Sequence, residues 1–390
     1  MSRRTPVFIA TAALLVILGA ALSFSSRRTV PARASVSSLP DKITDKDFWQ
    51  LVETMSEPNG FFRSDNLLSN EDTFQYVIPD LERRLPQGGV YLGVGPDQNF
   101  TYIEALHPKM AFVLDIRRQN MLEHLMYKAI LELSADRIDF LSMLFSRPAP
   151  ENVTPDSPPE ELFRAFSEAV PSGGLFRRNL QTITDRLTKE HGFTLTSDDT
   201  ASLEYVYRAF FSSGPDLRYS FPRGGFGGGA RGFPSYAELM MATDQAGVNH
   251  GYLANNNNFQ VLRSYELNNL LVPITGDFAG PKALRSVGEY LAQHGAALTL
   301  FYTSNVEQYL FQSDDQWRRF YGNLATIPTV RSATLLRSYF NMGGFRVPQT
   351  IGPQAFPSRS SMLTDSIPDL LGAVRDGRVR SYYDVIARAR

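Results

Sequence analysis

Four short stretches carry the residues whose types and spacing suit chemistry. Gly93-Val94-Gly95-Pro96-Asp97 follows the apolar run Val90-Tyr91-Leu92, and Asp115 ends a second apolar run twenty residues beyond Gly95. Gly276-Asp277 ends a third such run, and Ser304-Asn305-Val306-Glu307 follows a fourth. Glycines at 93 and 95 let the backbone bend sharply and approach a ligand with no Cβ in the way. Asp115, at the end of a strand, suits acceptance of hydrogen bonds from a ribose diol. Asn305 and Glu307 suit orienting an acceptor and removing its proton. Each has a plainer reading as well. Asn305 suits capping the helix that starts at Val306, with Glu307 in its first turn. Arg117 and Arg118 suit either an anion or a salt bridge, and His124 reads as a packed residue of a helix face. The dinucleotide fingerprint G-x-G-x-x-G fails, because its third glycine is Gln98.

These residues need strands to hold them, and the pattern supplies four. Val90–Gly93, Met110–Asp115, 270–275 and 297–302 are short apolar runs of the buried-strand kind. Between the first two lies room for a helix, and residues 117–133 place Met121, Leu122, Leu125, Met126, Ala129, Ile130 and Leu133 at helical spacing. Residues 282–294 form a further helix stopped by Gly295. Strand alternating with helix implies a parallel sheet with right-handed crossovers. Ligands of such sheets lie outside the carboxyl ends of the strands, where Gly93, Gly95, Asp97, Asp115, Asp277, Asn305 and Glu307 all fall. Helices are also expected over 47–55 and 72–85. The stretch of about 134–265 reads as a helical insertion. Within it, the glycine-rich 223–233 is a candidate lid or a slack loop. The sheet domain is expected over 47–350, with a loop-rich extension over 351–390 carrying short helices near Ile367 and Val385.

Composition narrows the classes. The 390 residues are 43% hydrophobic and 20% charged, enough for a large core. A net charge of −1 with scattered basic residues gives no nucleic-acid signature. The absence of cysteine removes disulfides, thiolate metal sites and a thiol nucleophile, and five histidines without metal-ligand spacing point to no metal. Pro6–Phe24 is uncharged over nineteen residues, long enough at roughly 1.5 Å per residue to cross a hydrocarbon core of about 30 Å. Residues 1–28 are therefore expected to be a single membrane anchor or a cleaved export signal, with 29–46 a flexible tether. No serine–histidine–aspartate ordering, G-x-S-x-G elbow or phosphate-binding loop is present to support a hydrolase or nucleotidase reading.

The set GVGPDQNFTYI, DIRRQN, GDFAGPKA and SNVEQYL resembles a group of uncharacterised bacterial proteins assigned the class I S-adenosylmethionine-dependent methyltransferase fold, over roughly Phe62 to Ile327. Gly93, Gly95 and Pro96 match the glycine turn of those methyltransferases, whereas Tyr91 and Asp97 replace its usual acid and third glycine. The resemblance implies a Rossmann-like, doubly wound, mostly parallel α/β sheet. It implies S-adenosylmethionine as cofactor, held by Gly93, Gly95, Asp97, Asp115 against the ribose and Asp277 beside the adenine, with Asn305 and Glu307 in the catalytic position. Two functions follow as expectations: a methyltransferase of unassigned acceptor, or a non-catalytic, membrane-tethered or exported binding or assembly protein with a degenerate donor pocket. A nicotinamide-dependent oxidoreductase is a third, disfavoured by Gln98. A small-molecule ligand and the membrane are the expected partners.

Overall fold

The computed structural model describes residues 38–219, 232–340 and 360–389. The expected anchor over 1–28, the first half of the tether and most of the glycine-rich stretch lie outside the described residues. Among those described, no helix is long and apolar enough to cross a membrane.

Among the described residues, six strands form one sheet: β1 (Val90–Gly93), β2 (Met110–Asp115), β3 (Leu271–Thr275), β4 (Leu298–Ser304), β5 (Thr329–Phe340) and β6 (Ser360–Ser366). Their spatial order is β3-β2-β1-β4-β5-β6. All neighbours pair parallel except β6, which runs antiparallel to β5. The chain builds outward from β1 through β2 to β3, then returns to the other side of β1 with β4. With right-handed crossovers, that reversal puts helices on opposite faces and leaves a crevice between the carboxyl ends of β1 and β4. β1, β2 and β3 are buried at every position, as a sheet covered on both faces requires.

Four strands fall where the hydrophobic runs predict them, and two were not expected. β5 carries Arg331, Ser332, Arg337 and Ser338, so it does not read as a buried run. Burial of Arg337 is possible because Glu307 pairs with it, 2.6 Å between Nε and Oε2. β6 lies in the region expected to be loop-rich. It is short and polar, and it is fixed by the antiparallel ladder to β5 rather than by its own pattern. The helix expected over 72–85 is regular only over Ile78–Arg84, because Pro79 suits a first helical turn and not an interior.

From Arg118–Leu133 to Asn256–Leu267, the residues between β2 and β3 are mainly helical. A buried ionic cluster fastens them to the amino-terminal helix Asp45–Met55. Glu132 accepts from His191 Nε2 at 2.6 Å, Arg186 Nε at 2.7 Å and Lys128 Nζ at 2.7 Å. The other ring nitrogen of His191 lies 3.0 Å from Asp45 Oδ2. Burial opposes a charged His191, yet the carboxylates of Glu132 and Asp45 outweigh it and raise its pKa above the ordinary 6.5. Burial likewise opposes a charged Glu132, but its cationic partners bring it down to about 2. A base with a raised folded-state pKa stabilises fully below its unfolded value, and that contribution is lost as pH rises through the folded value. An acid with a depressed pKa stabilises above its unfolded value and loses that contribution as pH falls toward its folded one. The cluster is therefore expected to hold best between about 4.5 and 6.5, the ordinary values of the two groups. Urea unfolding of wild type and His191→Gln across pH 6.5 and upward checks this. The stability gap between the two proteins should narrow as pH rises.

Candidate functional site

At the carboxyl ends of β1 and β4 sits a buried carboxylate that the sequence did not single out, Glu71. Gln98, first residue of the helix after β1, donates from Nε2 to Glu71 Oε2 at 2.7 Å. Tyr302 of β4 donates its hydroxyl to the same oxygen at 2.9 Å, and Ser304 Oγ donates to Oε1 at 2.5 Å. Burial raises the Glu71 pKa, and these bonds offset it only in part. Asp97, also buried, accepts from Tyr252 at 2.9 Å, and Tyr252 is 2.7 Å from the Tyr236 hydroxyl. Burial pushes Asp97 up to about 7 against the bonds from Tyr252 and from its own backbone N–H. Ser69, Phe74, Asp97, Gln98, Leu239 and Met240 line a small indentation that is too tight to admit a water molecule.

The glycine turn is shaped from within. Asn99 Nδ2 faces three consecutive carbonyls, those of Val94 at 3.0 Å, Gly95 at 3.2 Å and Pro96 at 2.7 Å, while its Oδ1 accepts from Tyr91 at 2.7 Å. A Cβ on Gly93 would lie 1.9 Å from that Oδ1 and 2.7 Å from the Tyr91 ring. Gly93 therefore makes room for the chain's own amide and phenol. Gly95 has φ +80°, a conformation suited to glycine. Its carbonyl accepts from His124 Nε2 at 2.8 Å, so that nitrogen carries the proton. Burial lowers the pKa of this ring to about 4 and keeps it neutral.

The other predicted residues are also engaged by the chain itself. Asp115 makes a two-pronged ion pair with Arg117, Oδ1 to Nε at 2.9 Å and Oδ2 to Nη2 at 2.8 Å, and Oδ1 also accepts from the Arg117 backbone. Arg118 pairs in the same two-pronged way with Asp199. Residues 56–66 form a strap over the ends of β2 and β3. Glu57 N–H bonds Thr275 O, Gly60 N–H bonds Ile116 O, and Arg117 Nη1 reaches the carbonyls of Ser64 and Asp65. The Glu57 carboxylate takes the backbone N–H groups of Asp277, Lys282 and Ala283, while Asp277 Oδ1 accepts from Ala279 N. Asn305 precedes the helix Val306–Leu310 without a side-chain cap bond.

Glu307 is buried, and its two oxygens serve Arg337 and Tyr321, the latter at 2.5 Å. Asp115, expected to face a ribose, is paired with Arg117 in this structure. The signal that would have found Glu71, Tyr302 and Ser304 together is absent from any local window, because Glu71 and Ser304 are 233 positions apart.

Such a sheet, with its crevice at the reversal of strand order, defines a Rossmann-like α/β protein. The chain belongs to the family described as a domain of unknown function, DUF7790, whose model matches residues 67–154 and 163–364. No curated protein matches it. Among solved structures it is similar to the rRNA methyltransferase aviRa from Streptomyces viridochromogenes, at 12% identity and a TM-score of 0.33, covering 87% of this chain and 99% of that one. A score of that size carries no inference about this chain's activity.

Two substitutions check these assignments. Gly93→Ala should destabilise the fold by about 1–3 kcal/mol through overpacking. Combined with Asn99→Ala it should cost less than the sum of the two, since they share one contact; strict additivity in urea midpoints would refute the shared packing. Glu307→Gln should lower stability by about 3–5 kcal/mol by leaving Arg337 buried without its charge partner.

Proposed function

We propose that this protein is a non-catalytic binding or assembly protein with respect to methyl transfer: a methyltransferase-like domain that keeps the architecture without a working donor site. The expected membrane tether or export segment at the amino terminus is part of the proposal. The observation that carries it is that the positions the resemblance assigns to S-adenosylmethionine are filled by the chain. Asn99 occupies the inside of the glycine turn, Arg117 takes Asp115, and the strap 56–66 runs over the ends of β2 and β3 beside Asp277. The residues present do not fit the donor in this arrangement. A small-molecule ligand of another kind stays part of the proposal, with Asp97 and Gln98 as the polar side chains at the indentation beside the end of β1.

The competing reading, an S-adenosylmethionine-dependent methyltransferase, requires the strap to leave and Asp115 to exchange Arg117 for ribose hydroxyls. Calorimetric titration of the full-length protein with S-adenosylmethionine and S-adenosylhomocysteine, up to about 1 mM, separates the two. That concentration detects binding as weak as about 4 kcal/mol. No saturable heat is the expected result. One-to-one binding that weakens on Asp115→Ala would replace this reading with the enzyme.

A further inference from the structure

Ser304 ends β4 with φ +48°, and the helix Val306–Leu310 begins two residues later. Left-handed backbone is costly for a residue with a Cβ, and serine is a poor choice for it when Asn305 stands next in line. Strain of this kind gathers at functional sites, where surrounding structure enforces it. A strand, a serine at positive φ and then a helix is also the turn that lifts a nucleophilic serine above an α/β sheet. The serine here is half-buried, unlike the fully buried residues on the strand before it.

The second observation is the partner of its hydroxyl. Ser304 Oγ lies 2.5 Å from Glu71 Oε1. The other carboxylate oxygen is held by Gln98 and Tyr302, so Oε1 is fixed toward the serine. The Glu71 pKa is displaced upward by burial, in the direction a general base working near neutrality needs. Asn305, which makes no cap bond to the helix it precedes, is the adjacent side-chain donor. The glycines of the usual elbow are replaced by Tyr302 and Val306, and the base is a carboxylate instead of histidine, which is why no sequence motif marks the pair.

We infer that Ser304 and Glu71 form a nucleophile and base at the β1/β4 crevice, acting on small carboxylic esters. Ser304 Oγ attacks the ester carbonyl carbon as its proton passes to Glu71 Oε1. The tetrahedral adduct collapses, the bond to the alkoxy oxygen breaks, and Glu71 returns the proton to the departing alcohol. Water then attacks the acyl-serine with its proton going to Glu71. Collapse releases the acid, and the proton returns to Ser304. The sum is ester plus water giving acid plus alcohol. The step goes beyond the binding reading and does not depend on whether a methyl donor binds.

Incubation of the full-length protein with a fluorophosphonate probe, followed by mass spectrometry of the digest, tests the pair. Label is expected on Ser304 and absent in Ser304→Gly, a variant that relieves the positive φ but removes one donor to Glu71, and whose folding is checked by its melting transition. Glu71→Gln should slow labelling by about 100-fold or more, the range of a lost general base. No label on folded wild-type protein, or label that persists in Ser304→Gly, would overturn the inference. Labelling together with donor binding in the calorimeter would overturn only the proposed function, so the two failures are distinguishable.

Discussion

Everything near the crevice depends on how a single buried carboxylate is satisfied. A charge removed from water is tolerated only with hydrogen bonds or counter-charges around it. Glu71 obtains them from the two elements that diverge at the reversal of the sheet: Gln98 after β1, and Tyr302 and Ser304 at the end of β4. The segment before β1 is thereby tied across both halves of the fold. The same bonds hold Ser304 at the carboxyl end of the strand, where its backbone is strained. Loss of Glu71 would leave the Tyr302 and Ser304 hydroxyls without their acceptor, while Gln98 Nε2 would keep the Tyr302 hydroxyl at 2.9 Å.

Around that centre the fold repeats one device, a buried ion pair joining elements distant in sequence. Glu307 fixes Arg337 and lets β5 enter the sheet in spite of its polar residues. Asp115 fixes Arg117, whose guanidinium also holds the strap. Glu132 gathers Lys128, Arg186 and His191 and so binds the amino-terminal helix to the insertion. Breaking any of these pairs leaves an uncompensated buried charge, which is far costlier than the pair is favourable. They specify one arrangement more than they add stability.

The glycine turn illustrates why a shared architecture does not carry a shared activity. In a donor-binding protein, small residues there allow backbone to approach a ligand. Here the same smallness admits Asn99 and Tyr91. The strap 56–66 does the equivalent at β2 and β3, with Glu57 filling the start of the helix beyond Asp277.

Much of the architecture was legible in the chain. Fully buried strands must be apolar throughout, so β1 to β4 announce themselves, as does the parallel, doubly wound order that alternating helices impose. Gly95 was legible as a turn residue for the same local reason. β5 and β6 were not, because their burial depends on Glu307 and on the ladder between them, neither of which is a property of the segments. The site followed the same division. Local sequence determined which residues stand at strand ends, since that is set by hydrophobic period and turn chemistry. Only the tertiary structure decided which of them remain available: Asp115 and Glu307 met arginines, whereas Ser304 met Glu71. Arg117 stands two positions from Asp115, but the partners of Glu307 and Glu71 come from elements distant in sequence, and no local pattern records that choice.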